Sequence, residues 1–495
     1  MALVLLALSC VPAATSAQCA YQWQPLGAGI GLAGSTVAAI ATLPDGSIVA
    51  YSQGLLTNFV RWNGTTWATF ATVDAGINSL VRLANNDLLA GGSFLTIGGV
   101  SANRIARWNG TAWSPLGSGI DQSIVSRIHA IVEMPNGDIV IGGWFTTAGG
   151  VSANKIARWN GTAWSALGSG MDSNVHALTA LPNGDLIAGG NFTTAGGVPA
   201  NAVARWNGST WFPMGSGVNG VVSALATLPG NLVLAGGSFT AAGGSPASRI
   251  AQWNGAAWTP LGAGVAGGVN ALLVRPAGDV IVGGGFVSAG GIAASLVARW
   301  TGTHWAPVGS GLDRAPLFGV ENVASLGSTN AGDLVAGGNF TAAAGNPVNR
   351  IARFGAGCPS SVTSYGGTCS GAAGPLVLGF TSMPVVGNTY QMTATGFPGV
   401  SIGVRMIGST STAIPLPAVL PVGQVGCELS VDPNILFDLA IPAAGSVSLP
   451  VPLPNIAALI SLVAYAQVGS IELSGSGAIT SIVTSNGLGF TVGTY

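Results

Sequence analysis

Charge is scarce in this chain: Asp, Glu, Lys and Arg make up only 6% of 495 residues, and Lys155 is the single lysine. Fourteen of the 15 basic residues and twelve of the 16 acidic ones precede residue 355, leaving that part near +2 and the remainder near −3. Neither balance supplies the basic patch that neutralises phosphates, which argues against a nucleic-acid partner. Helical periodicity is absent, which excludes an α-solenoid. Long apolar runs are absent too; Ile456 to Ala466 is too short to cross a bilayer. With six tyrosines and three histidines, of which the repeat region holds only Tyr21 and Tyr51 among the tyrosines, a copper-radical channel site lacks its ligands. No separate arginine cluster and no nucleophile elbow in a strand-to-helix context appears. Catalysis is therefore not expected, and no cofactor or metal is called for.

What the chain has is glycine, 78 residues of it, and a hydrophobic fraction of 48% rich in Val, Ile, Leu, Phe and Trp, a composition of packed strands. Residues 1–17 read as an export leader: Ala2 to Ser9 are apolar, Pro12 ends the run, and Thr15-Ser16-Ala17 offers small residues before Gln18. A lipoprotein would instead use Ala7-Leu8-Ser9 before Cys10, where alanine is a poor fit. A secreted or outer-surface protein is expected.

The main signal is repetition. A Trp-Asn-Gly-x-x-Trp element recurs at Trp62–Trp67, Trp108–Trp113, Trp159–Trp164, Trp206–Trp211 and Trp253–Trp258, and at Trp300–Trp305 with Thr301 for Asn. The leading tryptophans stand 46, 51, 47, 47 and 47 residues apart. Between them lies a hairpin pattern, clearest from Val175 to Phe192 around Pro182-Asn-Gly-Asp185. Four strands per repeat is one propeller blade. Hairpins starting near Val37, Ile77, Ile128, Val175, Val222, Val269 and Val320 predict seven blades.

The array is permuted at its ends. Trp23 matches a second tryptophan without a first, and Phe354 a first without a second. Blade seven should thus borrow its outer strand from the N-terminus, removing two sheet edges. With Cys10 in the leader, Cys19, Cys358, Cys369 and Cys427 remain. Cys19 and Cys358 occupy the places that Asn207 and Thr210 hold at the two ends of a tight turn, within disulfide range. A Cys19–Cys358 bridge is expected there, with Cys369–Cys427 in the tail. Residues 18–358 would form the propeller and 359–495 a second all-β domain resembling a sandwich, its β-prone runs lying at Leu376–Phe380, Thr389–Thr395, Ile402–Ile407, Ser446–Pro450, Leu459–Ala466 and Leu488–Val492.

The unit from Asn136 through Gly142-Gly143 to Lys155-Ile-Ala-Arg-Trp-Asn-Gly161 resembles a repeat of secreted bacterial propellers and is distantly similar to kelch repeats. The tail, with Ser364-Tyr-Gly-Gly-Thr-Cys369, Val425-Gly-Cys427 and Thr484-Ser-Asn-Gly-Leu488, resembles a domain of planctomycete-type exported proteins. These resemblances imply a fold and an exported location, not an activity. Blade one departs from the pattern at Ala50-Tyr-Ser-Gln53, where the Gly-Gly pair is missing.

Most repeated features have architectural readings. The Asn63, Asn109 and Asn160 sequons are read as hairpin turns needing positive φ. The Gly-Gly pairs allow close blade packing. Arg61, Arg107, Arg158, Arg205, Arg299 and Arg353 are assigned to inter-blade bonds or aromatic stacking, and Asp138, Asp185, Asp279 and Asp333 to turns. Function is then sought where blades differ, on the face with the longer loops. Aligned residues at the start of the innermost strands are Ala38, Asn78, His129, His176, Ser223, Asn270 and Glu321, a polar ring at the channel mouth. Asp121, His129, Asp172, His176, Asp313 and Glu321, on the loop face and at the channel mouth, are the candidate ligand contacts, suited to a hydroxyl-rich ligand or a divalent metal; a merely solvated mouth is the alternative. The function expected is binding at the cell surface by a monomer, the partner a glycan or a protein, or else a structural role in the envelope.

Overall fold

Each repeat in Tyr21–Gly355 folds into one antiparallel four-stranded sheet, and seven such sheets form a β-propeller. This is a computed structural model; it describes residues 20–31, 34–54, 58–313 and 322–357, and the strands of the C-terminal region. In blade four the strands are Val175–Ala180, Leu186–Gly190, Val203–Trp206 and Trp211–Pro213, from channel to rim. The second strand is buried at every residue, because a neighbouring blade covers each of its faces; hence its unbroken apolar run rather than a two-residue alternation. Phe192 follows it at 1% exposure, with Phe94, Phe145, Phe239, Phe286 and Phe340 in the same role, each worth about 1.5–3 kcal/mol of burial.

Inner strands neighbour one another all round, the first against the seventh. Their spacing rests on the Gly-Gly pair. A Cβ on Gly189 would lie 2.5 Å from Cγ1 of Val222 in the next blade, and one on Gly190 would lie 2.0 Å from the Asn174 carbonyl oxygen. The first glycine therefore admits the neighbouring blade and the second admits a bulge in its own inner strand. Tryptophans then tie the blades together: Nε1 of Trp164, Trp211, Trp258 and Trp305 donates to the carbonyl oxygens of Leu116, Leu167, Met214 and Leu261 at 2.8–3.0 Å, each in the connection leaving the preceding blade.

The ring closes as the permuted ends predict. Blade seven is ordered Val323–Ser328, Leu334–Gly338, Ile351–Gly357 and, outermost, Ala20–Pro25. Trp23 lies 5.3 Å from Phe354, reproducing the Trp–Trp pairs of the other blades, and its Nε1 donates to Val308 at 2.9 Å. Blade one, with Tyr51 where other blades have the first glycine, is repacked. Tyr51 is fully buried, Phe59 and Phe70 pack against Trp113, one tilted and one edge-on, and Trp113 Nε1 has no acceptor.

Two assignments change. The repeat arginines pair within their own blade: Arg61 with Asp45, Arg107 with Asp87, Arg158 with Asp138, Arg205 with Asp185, Arg299 with Asp279 and Arg353 with Asp333, and of the aromatic stacking expected Arg205 shows an instance, over the Phe212 ring at 5.4 Å. Blade five, alone among the aligned units, has Leu232 and Gln252 in these places, so both partners are replaced together. In the Asn-Gly turns positive φ belongs to glycine alone (Gly64 at 103°), while Asn63 accepts the backbone N–H groups of Thr65 and Thr66 at 2.9 Å.

Residues Ala356–Tyr495 lie in a second unit. Its strands include Val377–Phe380, Thr389–Thr395, Ser401–Gly408, Ser446–Pro452, Val463–Leu473 and Gly487–Thr491, in antiparallel sheets that include a six-stranded and a three-stranded one. The side chains that would define a sandwich core lie outside the described residues, as do residues 1–17 and Cys19, Cys358, Cys369 and Cys427. Among the described residues no helix is long and apolar enough to cross a membrane.

Candidate functional site at the channel mouth

In every inner strand the register slips by one residue: between Val37 and Ala39, Ile77 and Ser79, Ile128 and Ala130, Val175 and Ala177, Val222 and Ala224, Val269 and Ala271, Val323 and Ser325. The skipped residue is freed from the ladder, as bulges at barrel rims free side chains beside binding sites. These residues are Ala38, Asn78, His129, His176, Ser223, Asn270 and Ala324. Six are the ring positions read from the sequence. In blade seven the position belongs to Ala324, not Glu321: Val323 pairs with Gly338 as Val175 pairs with Gly190, so the strand begins three residues later than Val320. Glu321 lies outside the described residues, and of Asp313 only the backbone, in Leu312–Asp313, is described.

The histidines are brought together. His129 and His176, on adjacent blades, have ring centroids 4.9 Å apart at 51°. Burial, the neighbouring His176 and the positive charge of Arg127 push His129 down to about 4; burial lowers His176 also. Both imidazoles are neutral at pH 7, each offering one N–H donor and one acceptor.

Asp121 and Asp172 have other work. Each blade from the second to the seventh carries a small two-stranded ribbon on this face, such as Thr147–Ala148 with Val151–Ser152. Asp121 accepts the N–H groups of Thr146 (2.7 Å) and Thr147 (3.1 Å), and Asp172 those of Thr193 (2.9 Å) and Thr194 (3.0 Å). Burial would raise both carboxyls, but these hydrogen bonds outweigh it and hold them below the usual range. Asp74 and Asn219 do the same in their blades. Asp121 also accepts from Ser126 Oγ, and buried Arg104 donates to the carbonyl oxygens of Ser126 (2.7 Å) and Ser123 (2.9 Å). Two blades carry insertions on this face, Gln122–Ser126 in blade three and Arg314–Gly319 in blade seven; the latter lies outside the described residues, and the former is thus pinned at both ends. Its tip presents Ile124 at 97% exposure and Val125 at 48%.

Around the histidine pair lies a hollow of about 470 Å³ lined by Val125, Arg127, His129, Trp144, Asn174 and His176. A second, of about 250 Å³, runs inward past Asn78, His129, His176 and Ser223. Trp144 is 37% exposed, directly across the ladder from Arg127, with Lys155 Nζ 4.7 Å from its ring centre. At this position the other blades place Gln53, Ser93, Asn191, Ser238, Gly285 and Asn339, so the aromatic is peculiar to blade three. Asn174, the counterpart of Arg127 in blade four, has a buried Oδ1 with no hydrogen-bond partner. Sequence reasoning missed Trp144, Arg127 and Asn174. The signal for Trp144 was available, as the one aromatic in an aligned column of small and polar residues.

Among the described residues no carboxylate lines either hollow, and no three of His, Cys, Asp and Glu gather as a metal cage. A larger groove of about 560 Å³ between the ribbons of blades four and five is lined by residues such as Asn201 and Gly217, which recur as Asn154 and Gly170 in the preceding blade; it belongs to the repeat.

The first unit is therefore a seven-bladed β-propeller, and among its described residues the paired histidines, Arg127 and Trp144 stand together at one edge of the channel mouth. Residues 118–258 match the Rax2 C-terminal beta propeller domain, and residues 83–110 and 332–356 match a beta-propeller domain of unknown function, DUF5122. No curated protein matches the chain. Similar solved structures include the extracellular domain of a hybrid two-component system from B. thetaiotaomicron, at 10% identity, TM-score 0.44, covering 77% of this chain and 46% of that one. Another is PorZ, a surface component of the type-IX secretion system of Porphyromonas gingivalis, at 13% identity, TM-score 0.40, covering 89% of this chain and 58% of that one. The chain thus spans about half the length of these structures.

Proposed function

We propose that the propeller is an extracellular binding module whose ligand sits in the hollow shared by blades three and four. What supports this is the coincidence of departures from the repeat at one place: a pinned insertion with an apolar tip, an exposed tryptophan, paired neutral histidines and an unpaired buried acceptor. A concave site with an aromatic wall and a few convergent polar groups is the usual form of a small-ligand site. Export to the cell surface, implied by the leader and by the resemblance to secreted bacterial propeller repeats, gives the module a glycan or a protein to hold. The reading involves no chemistry on the ligand.

The test is a glycan array and a thermal-shift screen on the intact protein, run beside Trp144→Ala and His129→Asn. A hit that raises the melting temperature of the wild type but of neither variant supports the site. Envelope association that is unchanged in both variants, with no hit in either screen, would favour a structural role and overturn the proposal.

A further inference from the structure

The chemistry of the hollow narrows the ligand. Among the described residues the one charged side chain in its lining is a cation, Arg127, and a second cation, Lys155, lies over the Trp144 ring. The nearest acids in sequence, Asp121 and Asp172, are engaged by ribbon amides and line neither hollow. A cationic ligand would meet uncompensated positive charge, so the same histidines that invite a metal ion stand in a field that opposes one. The other groups call for something different. The Asn174 amide and the two imidazoles in the lining are neutral groups that carry both donors and acceptors, a set suited to hydroxyl groups. Trp144 supplies a flat apolar wall, and about 470 Å³ is room for one or two sugar rings.

Building on the binding reading above, we infer that this hollow takes an acidic saccharide, a sugar bearing a carboxylate, with its ring against Trp144 and its carboxylate toward Arg127. Arg127 is the specificity-determining residue in this arrangement, because a planar guanidinium offers paired donors to a carboxylate. Other blades place Thr36, Gly76, Asn174, Val221, Gly268 and Asn322 at that position, so no second blade repeats it. Trp144 contributes affinity for any sugar face, acidic or neutral.

The experiment is calorimetric titration of the full chain with a galacturonic acid tetramer and with the matching neutral galactose tetramer. Wild type is set beside Arg127→Gln and Trp144→Ala, both at exposed positions, with folding checked by melting. The acidic tetramer should bind about tenfold or more tighter than the neutral one, the difference that one charge-assisted hydrogen bond brings. Arg127→Gln should erase that preference, and Trp144→Ala should weaken both sugars. Equal binding of the two tetramers, lost in Trp144→Ala, would overturn the acidic preference and leave the binding site standing. Binding of the acidic tetramer that neither variant weakens would place it elsewhere and overturn the assignment. Absence of binding by either sugar to folded protein would remove both this inference and the saccharide form of the function.

Discussion

Substituting Gly189 by alanine tests whether blade spacing is set by the absence of a side chain. Its φ lies outside the left-handed region, so alanine suits the backbone, and in an open strand the change would stabilise by about 0.4–1 kcal/mol through the unfolded state. Here the new Cβ falls 2.5 Å from Val222 Cγ1 and 3.0 Å from Val222 Cβ, inside a fully buried strand. Adding a methyl to such a packed site costs about 1–3 kcal/mol, so the net effect should be destabilising by about 1–2 kcal/mol. Val222→Ala alone removes buried methyls and should cost about 1–2 kcal/mol. Combined, the two should cost less than their sum, because Val222→Ala removes the Cγ1 that lies 2.5 Å from the new methyl and leaves of that side chain only the Cβ at 3.0 Å. The cycle should give a favourable coupling of about 1 kcal/mol. Urea unfolding followed by tryptophan fluorescence measures all four proteins. Additive costs, or a neutral Gly189→Ala, would refute the packing argument. Gly190→Ala is the harsher control: its Cβ meets the Asn174 carbonyl at 2.0 Å, and backbone cannot swing aside as a valine can.

Other consequences are as direct. His129 sits near 4 in the folded protein against 6.5 unfolded, so the unfolded chain takes up the proton first as pH falls. Its contribution is intact above about pH 7 and is lost between 6.5 and 4, by up to about 3 kcal/mol; urea titrations at pH 7 and pH 4 should show wild type losing that much more stability than His129→Asn, and equal losses would refute it. Asp121→Ala should cost about 1 kcal/mol through its lost amide bonds and speed proteolytic cleavage between Gln122 and Val125, whereas an unchanged cleavage rate would mean that the insertion is held by other contacts. The Arg205–Asp185 pair, only partly buried, should show a coupling of about 0.2–1 kcal/mol in a double-mutant cycle, and the equivalent Gln252 and Leu232 none. Non-reducing peptide mapping should join Cys19 to Cys358, whose counterparts Asn207 and Thr210 hydrogen-bond across their turn at 3.3 Å; Cys358 joined to Cys369 would sink that pairing.

The blade number, the strand order and the borrowed strand of blade seven were legible because one local pattern is written repeatedly. Each copy must satisfy the same turn and the same neighbour, so noise in one blade is corrected by the rest. Blade seven's register failed for a local reason: Val320 and Val323 both begin plausible strands. The spacing of fourteen residues from the inner-strand aliphatic to the first glycine, as from Val175 to Gly189, selects Val323 by way of Gly337. Of the two roles expected for the arginines, bonds between blades gave way to ion pairs within a blade, although each stands 20 residues after its aspartate from blade two onward and blade five loses both, while stacking is seen at Arg205. The histidine pairing was readable, since equivalent positions on adjacent blades must be neighbours in a ring. Trp144 and Arg127 were not, because their meeting depends on a cross-strand register that the bulge at His129 shifts by one residue.

That bulge also explains why the site lies where it does. A residue within the second strand is enclosed by two blades, and one in the hairpin turn serves the turn, so neither can change without cost. The bulged residue of the inner strand is released from the ladder and faces the channel, where alanine, serine, asparagine and histidine are all accommodated. Even there the neighbouring blade sets limits: Asn78 donates to the Ile128 carbonyl at 2.9 Å and Asn270 to that of Val323 at 3.3 Å, so an asparagine at this position is occupied in bridging blades. Histidine at 129 and 176 makes no such bridge. The two imidazoles therefore remain unbridged at the edge of the ring where the blade-three insertion and Trp144 also stand, and the proposed ligand would meet the repeat at the point where the repeat asks least of its residues.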